Sequence, residues 1–236
     1  MPVLHDDEPA AVEVVAAIRG GDVDALRLLL AARPELATSW IRDRKGVERS
    51  LPHVVADWPG HFPRGAETVA VLAAAGADVN ARLRHGPHEE TPLHWAASCD
   101  DVAVLDALLD TGADIDAPGA VIAGGTPLAD ATAFAQWRTA FRLVDRGAAT
   151  TSFTAAALGL TDRVRTHLAA SPADLDDAFW AACHGGRLDT ARFLAAEGAD
   201  LSRVAPWEPA TPLDAANRTG AADVIAWLRE NGARSA

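Results

Sequence analysis

Three short stretches hold residue types that could do chemistry. HGPHEE, from His85 to Glu90, sets two imidazoles beside two carboxylates, with His94 not far beyond. Nitrogen and oxygen donors of this kind suit a metal, but zinc prefers a defined tetrahedral set, and a loop pair is a weak match. A solvated loop with incidental histidines is the alternative. ADWPGH places Asp57 four residues before His61. The two could pair as carboxylate and base if the loop folds back, or the loop could simply close one end of its unit. Cys99 becomes a nucleophile only where a nearby base lowers its pKa; a small buried thiol is the other reading. If the chain is an enzyme, Asp57, His61 and His85 are the catalytic candidates. No Walker glycine loop, GxSxG elbow or HExxH pair occurs. No cofactor or metal is therefore assigned.

The whole chain bounds these possibilities. It has 236 residues, with 33 acids against 21 bases for a net −12, and Lys45 is its one lysine. A backbone-phosphate binder needs surplus positive charge, so nucleic acid is disfavoured, and anionic membrane surfaces are disfavoured likewise. No basic, apolar leader opens the sequence, and no apolar run reaches the roughly 18 residues of a span. Two cysteines are too few for a disulfide framework and suit a reducing cytoplasm. Alanine-rich, arginine-rich usage fits a high-GC bacterial origin.

A period runs along the chain. GADVN at 76, GADID at 112 and GADLS at 198 recur, with weaker copies at Gly147 and Gly232, and the glycines lie 36, 35, 51 and 34 apart. Thr-Pro-Leu recurs at Thr91, Thr126 and Thr211. Threonine caps free N–H groups and proline suits the first helical position. Ala96-Ala97 and Ala215-Ala216 then make thin inner helices that neighbours can approach closely. VAVLDALLD and LDTARFLAAE follow as amphipathic outer helices, each ended by a glycine in the left-handed region. Such a unit cannot bury its apolar face alone and must stack on copies of itself.

TPLHWAA, a second helix and GADID at a spacing near 33 residues resemble the ankyrin repeat. The resemblance covers nearly the whole chain. It implies an all-α solenoid of stacked helix–turn–helix units with β-hairpin fingers, a single domain over residues 1–236. Units start near 12, 50, 91, 126, 150, 177 and 211, the first and last being atypical caps. Fingers are expected to vary: ATSWIRDRKGVERS is a charged insertion, ARLRHGPHEE and APGAVIAGG are long. Two fingers, on either side of the fifth unit, are missing. Long fingers over units one to four read either as drift or as walls around part of the concave face.

The family's contact positions are the fingers and the inner-helix residues after Ala-Ala. Carried onto this chain they select Arg19, Asp57 or Trp58, Ser98, Cys99, Phe134, Leu158, His184 and Arg218. The fingers add His85, His88, Glu89, Glu90, Val121, Ile122 and Trp207. Units advance by roughly 8–10 Å each, so Asp57 and His184 cannot share one small site, and Cys99 cannot reach Cys183. The richest local set is Asp57, Trp58, Trp95, Ser98, Cys99 and Phe134, roofed by His85, His88 and Glu90. Trp95 also reads as packing between repeats. His94, with His53 as its counterpart, reads as structural, and Trp137, Trp180 and Trp227 as core.

Two functions follow. The resemblance implies a non-catalytic scaffold that binds another protein on the concave face. The alternative is a small-molecule binder or acid/base enzyme (isomerase, cyclase or hydrolase) using a Trp/His/Asp pocket in units two to four.

Overall fold

Five helices begin directly after a hydroxyl residue, at Ser50, Thr91, Thr126, Thr151 and Thr211. The computed structural model describes residues 2–236, which divide after Ala148 into two units. Unit 1 holds β1 (Val3–His5), α1 (Pro9–Gly20), α2 (Val23–Ala32), β2 (Trp40–Arg42), β3 (Glu48–Ser50), α3 (Leu51–Ala56) and α4 (Gly65–Ala74). It continues with α5 (Pro92–Ser98), α6 (Val102–Asp110), α7 (Pro127–Ala133) and α8 (Trp137–Asp145). Unit 2 holds α9 (Ser152–Leu158), α10 (Thr161–Ala170), α11 (Leu175–His184), α12 (Leu188–Ala196), α13 (Pro212–Thr219) and α14 (Ala222–Glu230). Within each unit these form stacked helix pairs, with odd-numbered helices packed on odd-numbered ones and even-numbered helices on the other side.

Within unit 1, inner helices pack on inner and outer on outer: α1 on α3, α3 on α5, α5 on α7, and α2 on α4, α4 on α6. The inner ones approach closely because Ala56, Ala96, Ala97 and Ala131 are wholly buried and small. Leu93, Leu105, Leu108, Leu128 and Leu143 fill the layer between, each fully buried and contributing about 1.5–3 kcal/mol. Asp22 and Asp101 cap the outer helices by accepting the Ala25 and Val104 N–H groups. The recurrent glycines take positive φ, 93° at Gly76 and 97° at Gly112, as a left-handed helix exit requires.

The charged insertion between the first two units is ordered. β2 and β3 form an antiparallel pair, with Trp40 opposite Ser50 and Arg42 opposite Glu48, and β1 adds to β2 in parallel. Glu48 then exchanges both backbone bonds with Arg84, joining this sheet to the next finger. That finger closes where Leu83 N–H meets the Glu90 carbonyl, and the following one where Gly119 and Ala120 meet Gly124 and Gly125.

Unit 2 stacks α9, α11 and α13 in the same way. It opens on α9 without a finger, and α10 passes to α11 through a 3₁₀ turn at Pro172–Asp174, again without one. α11 crosses α9 so closely that a Cβ on Gly185 would overlap the Ala157 carbonyl group. Replacing Gly185 by Ala should destabilise the protein by about 1–3 kcal/mol, whereas Gly20→Ala, with open space around the new methyl, should be neutral or slightly stabilising. Thermal melts of the two variants check this.

Candidate functional site

The stack exposes its inner-helix ends and finger tips, and the side chains there are set by a small number of buried polar brackets. His53 and His94 are wholly buried. Nδ1 of His53 accepts from Ser50 Oγ at 2.8 Å and from the Ser50 N–H, while Nε2 faces the Glu90 carbonyl at 3.1 Å. His94 repeats this one unit on: Nδ1 takes the Thr91 hydroxyl at 2.9 Å and the Thr91 N–H, and Nε2 reaches the Gly125 carbonyl at 3.4 Å. An acceptor at Nδ1 and a carbonyl before Nε2 define the neutral, Nε2-protonated ring. Each imidazole therefore ties the start of an inner helix to the far end of the next finger.

Among the expected site residues, Asp57, Trp95, Cys99 and Glu90 are linked. Asp57 ends α3 and its Oδ2 accepts from Arg19 at 2.7 Å and Arg49 at 3.2 Å. The Arg49 guanidinium also binds Asp43 and lies 5.9 Å from the Trp95 ring centre. Trp95 meets His53 edge-on at 5.0 Å, and its side chain donates to Glu90. Cys99 points its Sγ at the Ala56 carbonyl, 3.6 Å away. Burial, then the charges of Asp57 and Asp101, push its thiol up to about 11. The Ser98 hydroxyl is buried without a hydrogen-bond partner. Trp58 is 82% exposed on the loop after Asp57, and Phe134 is 44% exposed at the end of α7.

The Asp57–His61 pair does not form. The His61 N–H donates to Asp101 Oδ2 at 2.7 Å and its Nε2 lies 3.0 Å from the Cys99 carbonyl. Asp57 is already neutralised by two arginines, whereas Asp101, projecting from the next helix start, still has an oxygen free to receive the loop. His85 sits apart, exposed, with Nε2 3.9 Å from the buried Glu48. Glu48 is itself held by Arg42 at 3.0 Å through Nε and flanked by Arg84, which lies over the Trp40 ring. His88 is half-buried near Glu90. His85 and His88 thus stay near the surface while His94 is spent inside as a bracket. Among the described residues no group of three or more His, Cys, Asp or Glu is placed to hold a metal.

In unit 2, His184 stacks on Trp180 at 5.3 Å, and Trp207 meets Trp180 edge-on at 5.4 Å. Phe153 completes this cluster, and Trp207 remains 48% exposed on its finger. Arg218 is paired with Glu208 at 3.0 Å. Phe153 and Trp180 are members that the sequence reading left out of the contact set; Trp180 was assigned to the core, and its indole N–H does bind the Ala210 carbonyl there. Asp130 was also missed. It stands where Trp95 stands relative to Thr-Pro-Leu, so a carboxylate in an apolar register was the available signal.

Two cavities lie beside this face. One of about 600 Å³ is lined by Trp40, Asn80, Arg82, Arg84 and His85. Another of about 440 Å³ is lined by Val12, Arg19, Ile41, Arg49 and Val54. Of the expected contact residues they include Arg19, His85 and Glu89, and neither cavity is lined by Asp57, Trp58, Ser98 or Phe134. Asp57 is bound by Arg19 and Arg49, His61 by Asp101 and the Cys99 carbonyl, and His85 lies apart from both beside Glu48.

The ankyrin repeat family model matches residues 88–120. Among solved structures, the human ASB11 ankyrin repeat domain is similar at 26% identity over 79% of this chain and 85% of that one, with a TM-score of 0.43. No curated protein matches.

Two measurements check the electrostatics. Burial lowers both His53 and His94 to about 4 from an ordinary 6.5. A histidine held below its unfolded pKa contributes stability that is fully present above pH 6.5 and lost as pH falls toward 4. Unfolding of the full chain should therefore become easier by roughly 3 kcal/mol per ring across that range. His94→Asn should remove one ring's share of the slope. Cys99 should react with iodoacetamide at pH 7.5 about 100-fold more slowly than an ordinary exposed thiol. Quantitative alkylation at the ordinary rate would contradict the half-buried, neutral thiol.

Proposed function

Because the chain is an ankyrin-repeat protein, we propose that it is a non-catalytic scaffold that binds another protein through the face made by its inner helices and fingers. One observation carries this reading. Of the nine exposed large apolar side chains among the described residues, only Leu28 and Phe141 lie on outer helices. Trp58, Val121, Ile122, Phe134, Val204 and Trp207 project from loops, finger tips and inner-helix ends, and Val12 from α1. Apolar groups held out of water on rigid supports, with tryptophan prominent, have the character of interface anchors.

The charge balance supports a basic or neutral partner surface, because potentials across interfaces tend to be complementary. Catalysis has less support. Asp57 is neutralised by two arginines, His61 binds Asp101, and Cys99 is held as the thiol. Two unpaired cysteines suit a reducing compartment, and the cytoplasm is where we place the protein. No helix among the described residues is long and apolar enough to cross a membrane.

Affinity capture from the source cells, followed by binding measurements on the captured protein, tests the reading. Trp58→Ala or Ile122→Asp should each weaken the complex by about 2 kcal/mol, or some 30-fold. Leu28→Asp on the outer face should leave it unchanged. Loss of binding with Leu28→Asp alone would sink the proposal.

A further inference from the structure

Asp130 on α7 is wholly buried beneath the finger that runs from Ala117 to Gly125. Its Oδ1 accepts the Ile122 N–H at 3.3 Å, and the Val121 N–H also bonds to the carboxyl. Its Oδ2 is buried with no hydrogen-bond partner. A carboxylate left half-satisfied in this way is costly, and the cost falls when it carries a proton. The finger above it is shaped by positive φ at Gly119, Ala123 and Gly124 and presents Val121 and Ile122 to solvent.

The surrounding charges offer no cation to compensate. From the preceding finger comes Glu90, itself buried, with His88 near it. From α5 comes His94, neutral and engaged with the Gly125 carbonyl, and Arg82 acts on that histidine rather than on Asp130. α8 carries Arg138, Arg142 and Asp145, of which Arg142 is bound to Asp106 on α6. Glu90 is the neighbour whose charge bears on Asp130.

We propose that Asp130 is a proton-holding carboxyl that sets this finger: with its proton in place the Val121–Ile122 tip is seated, and loss of that proton to solvent releases it. The inference rests on the docking role given to this tip above, and makes its docking pH-dependent. Burial first, then the Glu90 charge, raises the Asp130 carboxyl to about 7, against the opposing pull of the Ile122 and Val121 N–H groups. Burial raises Glu90 as well. The sign follows directly. A carboxyl whose folded pKa lies above its unfolded value contributes most at low pH, and its contribution is lost as pH rises through about 7. This is opposite to the two buried histidines, which lose theirs as pH falls.

The test is carboxyl-carbon and amide NMR of the full chain titrated from acid to alkaline pH. Asp130 should titrate near pH 7, with the Val121, Ile122 and Ala123 amides shifting at the same midpoint. Glu90→Gln should move that midpoint to lower pH, and Asp130→Asn should abolish the amide transition. Titration of Asp130 in the ordinary carboxylate range, near pH 4, overturns the proposal. So do tip amides that stay still across the carboxyl's midpoint. Should Asp130→Asn fail to fold, the direction of the Glu90→Gln shift still decides. None of these readouts needs a partner, so a switch that holds while Ile122→Asp leaves capture intact would reject the docking reading alone.

Discussion

The buried imidazole that joins one repeat to the next finger is the interaction on which unit 1 depends. A helix pair of this size cannot bury its apolar face alone, so stability comes from stacking, and stacking needs register. His53 and His94 supply it with a single ring each, accepting at Nδ1 from the helix start and donating at Nε2 across to the next finger. Both functions require the neutral ring. Protonation would place an N–H opposite the hydroxyl and N–H donors of Ser50 or Thr91. In unit 2 the equivalent post is held by Thr154 and Asp214, which bond locally to Thr151 and Thr211. Burial works against the Asp214 carboxylate, but the Ala236 and Thr211 donors outweigh it and hold the group below the usual carboxylate range. The histidine posts bridge outward, whereas these close on their own helix start.

Fingers fixed in this way can carry exposed apolar side chains without collapsing onto them. Trp207 keeps nearly half its surface in water because Phe153 and Trp180 brace it from the side. Val121 and Ile122 stand out because the chain beneath them bonds back to Asp130. For the binding role proposed above, a face prepared in this way lowers the ordering cost. Residues that resemble catalytic groups in the sequence are absorbed into this scaffolding. Asp57 anchors two arginines, His61 pins its loop to the next repeat, and Cys99 fills space against α3.

The helix pairs were readable from the sequence because Thr-Pro-Leu, paired alanines and the closing glycine each act within a few residues. The missing fingers were readable for the same reason, as there is no chain to build them. What escaped was long-range. β1 has three residues and gains its pairing from β2, some 37 positions away, so no local pattern announces it. The strands within the charged insertion escaped too, because their pairing is fixed by arginines and acids that meet only in the fold, Arg42 with Glu48 and Arg49 with Asp43. His61 chose Asp101 over the nearer Asp57 for want of a free carboxylate close by, which spacing cannot reveal. Asp130 stood in an apolar register, and only the finger folded over it explains why a carboxylate is there.

Residue-resolved hydrogen exchange of the native protein tests the central claim most directly. If buried brackets hold the fingers as part of the stack, the Leu83, Arg84 and Ala120 amides should open with free energies within about 1 kcal/mol of those in α5 and α7. Finger amides exchanging at the rate of an unstructured loop, while α5 and α7 remain protected, would contradict it.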